Sequence, residues 1–158
     1  MKLRIEVVLI ALASIVLAGA TFADWYRITA TATSNGVFDF RWASPAGDGT
    51  FFQASVSPWQ TNTPLAIALV AMALVSIVFA ILVELEKIRP RTGSLVVTCA
   101  ALGAVGLVIA QLASDHTAQA FQLTVTRHLL TGFYVAAAAA AALLVAAAGH
   151  VARRATAE

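Results

Sequence analysis

A single cysteine, Cys99, stands in the whole chain, so no intramolecular disulfide can staple any part of it. Charge is nearly as scarce. Aspartate, glutamate, lysine and arginine together make up 11% of the 158 residues, too few to cover the surface of a water-soluble domain of this size. With three histidines and one cysteine, the sequence shows no spacing of a zinc site, no glycine-rich phosphate loop and no nucleophile motif. No catalytic residue, cofactor or metal site is therefore assigned, and the expectation is a protein that is not an enzyme. Nor is there a basic cluster with interleaved aromatics, which argues against a nucleic-acid partner.

What is present is apolar: 60% of the residues are hydrophobic. The few charges divide the chain into uncharged windows at 7–23, 65–83, 92–114 and 129–149. Each is close to the roughly 17 to 25 residues that a helix needs to cross about 30 Å of hydrocarbon. None carries a polar stripe at helical spacing, as a soluble core helix would. The spacing predicts an all-α membrane protein, a four-helix transmembrane bundle occupying one domain over 1–158, with helices at about 4–23, 63–85, 92–114 and 127–150. Outside lie a large loop at 24–61 and a smaller one at 115–126; a cytoplasmic turn covers 86–91.

Lysine and arginine orient it, because short flanking segments rich in them stay in the cytoplasm. With the N-terminus inside, the inner segments hold Lys2, Arg4, Lys87, Arg89, Arg91, Arg153 and Arg154, and the outer ones only Arg27, Arg41 and Arg127. Both termini are expected in the cytoplasm of a multi-pass protein of the cell membrane. A competing pattern is a signal peptide, with Lys2 and Arg4 before an apolar stretch and Ala18, Gly19 and Ala20 as the small-residue cleavage site. Glu6 at the start of that stretch, and its length, favour an uncleaved anchor.

Local signals place the helix ends. Asn62 or Thr63 can cap a helix in which Pro64 takes the first turn, predicting a start at about Thr63. The charged run 84–91, with Pro90, is short enough to force an antiparallel helix pair. Ala100, Gly103, Ala104 and Gly106 in the third helix, and the alanine run 136–142 in the fourth, allow close backbone approach, the main source of helix association in lipid.

The outer loop changes character, with threonine, serine, glycine and aromatic residues replacing aliphatic runs. Alternation at 28–33, a turn at Ser34, Asn35 and Gly36, alternation at 37–42 and a third run at 50–56 predict a three-stranded antiparallel β-meander. Phe38, Phe40 and Trp42 share one face of its middle strand. Trp25, Tyr26 and Trp59 read as headgroup-level belt residues. Phe38, Phe40, Trp42, Phe51 and Phe52 read as the underside of the sheet or as a contact surface for a partner or lipid. Four helices with a β-rich first loop and a smaller second one are similar in layout to the claudin-like tetraspan proteins, although the paired cysteines of that family's first loop are missing here.

Asp115, His116, Arg127 and His128 are expected near one another at the outer surface, where a surface ion pair explains them, and metal binding or proton transfer is the alternative. The functional expectation is a non-catalytic accessory or structural subunit of a larger membrane or cell-envelope complex. Its partners would be the lipid bilayer and a membrane protein or a second copy of the chain. The alternatives are a lipid or small-molecule binding or transport component, or a membrane enzyme built on the outer histidine and carboxylate cluster. The alanine-rich composition resembles that of GC-rich bacteria.

Overall fold

Alternation of long apolar helices with short strands organises the computed structural model, which describes residues 5–32, 50–113, 117–120 and 123–155. In chain order these are α1 (Ile5–Ala20), β1 (Tyr26–Ala32), β2 (Thr50–Val56), the single turn α2 (Pro58–Thr61), α3 (Thr63–Glu84), α4 (Pro90–Ala113), β3 (Thr117–Ala120), β4 (Leu123–Leu129) and α5 (Thr131–Ala155). The chain is mostly helical with a small antiparallel sheet. Three helices, α3, α4 and α5, are long and apolar enough to cross a membrane, whereas α1 is apolar but shorter, at 16 residues.

The helix ends follow from local chemistry. α3 starts at Thr63, as expected, with the Asn62 side chain accepting from the Leu65 amide at 3.3 Å. Pro64 sits in the first turn, where a missing N–H costs nothing. At its other end Glu86 takes a left-handed φ of 56°. The Lys87 amide then reaches the Leu82 carbonyl at 3.0 Å, and the Glu86 amide the Val83 carbonyl at 3.2 Å, a Schellman closure. α4 begins directly on Pro90.

α1 packs against α3 and α5, and α4 packs against the same two, so the four helices close a ring of antiparallel neighbours. Each buries one stripe. In α5 it is Phe133, Ala136, Ala139, Ala140, Leu143, Ala146, Ala147 and His150; in α4 it is Gly93, Ser94, Val97, Ala101, Ala104 and Val108. Buried positions are mostly small, while Leu12, Ile15, Leu74, Leu102, Ile109 and Val145 project outward. That arrangement is the reverse of a soluble bundle, in which large aliphatic side chains fill the core. Small seams bring the backbones together: a Cβ on Gly93 would collide with Val83, and one on Gly103 with Met72.

The structure departs from the expected meander. The first loop supplies β1 and β2 and the second supplies β3 and β4, joined in one sheet of order β2-β1-β4-β3. The expected strand at 37–42 lies outside the described residues. Residues 123–129 therefore belong to a strand, and the last helix starts at Thr131 instead of near 127. The period-2 alternation of Leu123, Val125 and Leu129 with Thr124, Thr126 and His128 carries that strand. Absence of charge does not reveal it, because Arg127 and His128 border an uncharged window of helical length and also lie within the strand.

Candidate functional site: the sheet and its seat on the bundle

Trp25 joins the sheet to the helices. Its amide donates to the Val56 carbonyl at 3.0 Å, its carbonyl accepts from the Leu130 amide at 2.7 Å, and its indole Nε1 donates to the Ala20 carbonyl at 2.7 Å. The ring meets Phe133 edge-on, with centroids 5.6 Å apart. Trp25 is wholly buried and Tyr26 is 3% exposed, so neither is the belt residue expected of it. The Tyr26 hydroxyl donates to Gln111 Oε1 at 2.7 Å and ties β1 to the end of α4. Burial pushes the Tyr26 phenol above its ordinary value, a shift that the nearby Arg127 guanidinium opposes.

The strand register sorts the side chains onto two unlike faces. Val56, Tyr26 and Leu129 form one cross-strand row, Ala54, Ile28 and Arg127 the next, and Phe52, Ala30 and Val125 a third. Directly paired residues point the same way and alternate along each strand, so these rows share a face that is apolar apart from Arg127. Only its first row reaches the bundle, where Tyr26 is part of the core and Val56 and Leu129 pack on it. Farther out, Phe52 is 55% exposed. The opposite face holds the rows Ser55, Arg27 and His128; Gln53, Thr29 and Thr126; and Thr50, Thr31 and Thr124.

This geometry separates residues expected together. Arg127 and His128 are consecutive in β4 and point to opposite faces, Arg127 beside the Tyr26 side and His128 beside Arg27. A single site using both side chains is thus not assembled by the strand. Asp115 and His116 lie outside the described residues, as do Phe38, Phe40 and Trp42; Phe51 belongs to β2 by its backbone. Among the described residues no group of three or more histidine, cysteine, aspartate or glutamate side chains could hold a metal ion.

Glu6, which the sequence places at the start of the first apolar stretch, and His150, to which it gives no role, are both buried. Glu6 lies on the buried stripe of α1 and His150 on that of α5, both at the end of the bundle opposite the sheet. The signal for His150 was present: it follows Leu143 and Ala147 at helical spacing, so the stripe that buries them buries it. Within the helices, Ser76 Oγ donates to the Met72 carbonyl at 2.8 Å and Thr98 Oγ1 to the Ser94 carbonyl at 2.9 Å.

No family model matches the chain, and no curated protein or solved structure matches it.

Proposed function

We propose that this chain is an integral protein of the cell membrane that crosses it four times, with both termini in the cytoplasm. In this reading it is a non-catalytic accessory or structural subunit of a larger membrane or cell-envelope complex. The observation that carries the reading is the two-faced sheet: its apolar face begins in the core and continues past the bundle to an exposed Phe52. An apolar face held outside the bundle by four strands suits a protein partner better than water. The aliphatic exterior of the helices supports residence in lipid, and the excess of lysine and arginine on one side supports the orientation.

The test is mild-detergent affinity purification from the native membrane, with co-purifying proteins and lipids identified against a tagged, unrelated four-helix control. A stoichiometric protein partner, lost from Phe52→Ser protein that accumulates normally, is the expected result. A chain that purifies alone with an enriched lipid overturns the accessory role and makes ligand binding the function.

A further inference from the structure

The end of the bundle that carries the sheet also carries three aromatic side chains that the core does not use. Phe22, immediately beyond α1, is 70% exposed and stacks on Trp59 of α2, with ring centroids 5.3 Å apart and planes inclined by 25°. Trp59 Nε1 donates to Thr21 Oγ1 at 3.2 Å, so the indole is held against the end of α1 with its polar atom partnered. Tyr134, in the first turn of α5, is 59% exposed and meets Phe133 edge-on at 5.7 Å. The three share a level. A Cβ on Gly132 would lie 2.9 Å from Ala23 Cβ, which places the start of α5 beside the residues that follow Phe22.

We propose that Phe22, Trp59 and Tyr134 form an interfacial anchor that seats this end of the bundle in the headgroup region of one lipid leaflet. The proposal rests on the membrane reading above. Its occupant is the lipid interface, because the three rings continue the aliphatic exterior of α1, α3 and α5 up to the point where the polar sheet face begins. Amphipathic rings favour that boundary.

The anchor also accounts for the short first helix. Sixteen residues at 1.5 Å each reach only about 24 Å, less than the roughly 30 Å of hydrocarbon. Beyond Ala20 the chain tightens: the amides of Thr21, Phe22 and Ala23 donate to the carbonyls of Ala18, Gly19 and Ala20 at 3.2, 3.1 and 3.2 Å. Three residues with i→i−3 bonds add about 6 Å, which brings Phe22 to the far boundary and makes α1 a full span.

Cys99 provides the internal ruler, being exposed and on α4 about 14 Å from Pro90, near the middle of that helix. Nitroxide labels are placed on native Cys99, and on Phe22→Cys and Tyr134→Cys in a Cys99→Ala background. The full chain is reconstituted in vesicles of three parts phosphatidylcholine to one part phosphatidylglycerol, and depth is read from collision with oxygen against a water-soluble nickel chelate. The expected result is a deep label at 99, with labels at 22 and 134 at least about 10 Å shallower and within about one helical turn of each other. A nickel-accessible label at 99 overturns the membrane reading itself. A deep label at 99 with either other label in bulk water, or as deep as 99, overturns the anchor alone.

Should the double variants not fold, the emission lost on Trp59→Phe isolates that indole in otherwise native protein. Bromines near the headgroup are expected to quench it more strongly than bromines near the acyl-chain ends. Equal or stronger quenching from the deep position overturns the anchor.

Discussion

The indole N–H of Trp25 donates to the carbonyl oxygen of Ala20 over 2.7 Å, closing the last turn of α1 with a side chain that belongs to the root of the sheet. That carbonyl also accepts from the Ala23 amide at 3.2 Å, so two donors close the end of the helix. With its backbone bonds to Val56 and Leu130, the residue ties the end of α1 to the root of the sheet. Trp25→Phe keeps most of the bulk and removes the donor, and is expected to cost about 1–2 kcal/mol. Trp25→Ala empties the site against Phe133 and is expected to cost about 3–5 kcal/mol. Denaturant titration in detergent micelles, followed by circular dichroism, measures both; no loss in Trp25→Phe would mean that the hydrogen bond contributes nothing, and equal losses that the packing against Phe133 adds nothing to it.

Tyr26 should make stability depend on alkaline pH. Its phenol is raised above the ordinary value of 10.0 by burial, so the unfolded chain loses this proton before the folded one does. The stabilisation is fully present below pH 10 and is lost as pH rises through the higher folded value. Tyr26→Phe should flatten stability above pH 10 relative to the native chain. It should also cost about 1 kcal/mol at neutral pH through the lost bond to Gln111. The absorbance difference at the phenolate band between native and variant protein reports the titration directly.

Gly132 lies where the start of α5 meets the chain leaving α1. An added Cβ would come within 2.5 Å of the Asp24 carbonyl oxygen, a backbone atom that cannot step aside cheaply. Gly132→Ala is expected to destabilise by about 1–3 kcal/mol. Gly106→Ala is the control, since nothing lies within 4 Å of its would-be Cβ. There, better helix propensity should leave stability unchanged or raise it by up to about 1 kcal/mol. Thermal unfolding of the two variants side by side separates collision from propensity.

Glu86 closes α3 in a conformation that suits glycine. Its φ of 56° places the Cβ close to a carbonyl oxygen, and the side chain is exposed. Glu86→Gly should retain the Schellman bonds and stabilise the hairpin of α3 and α4 by about 0.5–1 kcal/mol. A loss of stability in the same unfolding assay would show that the carboxylate contributes more than the strained backbone costs.

Much of the fold was legible because membrane-length apolar windows and capping residues are local signals. Asn62 and Pro64 placed the start of α3, and the run of charges at 84–91 placed the turn into α4. The candidate site was less legible. Arg127 and His128 read as a helix start because they end an uncharged window, yet their neighbours alternate as a strand. Trp25 and Tyr26 read as belt residues by type and position, while Phe22 and Tyr134 have the exposure that a belt needs.

By itself the sequence determined the three long apolar helices, the apolar but shorter α1, the breaks between them and the presence of strands in the first loop, since each follows from hydrophobicity and turn chemistry within a short window. Only the tertiary structure decided that the two loops share one sheet, because Arg27 finds His128 about a hundred residues away through backbone bonds that carry no side-chain code. It also decided which aromatic residues are buried. Trp25 and Trp59 are the same residue type at similar places beside a helix end, and their exposure was set by what packed against them: Phe133 against one and Phe22 against the other.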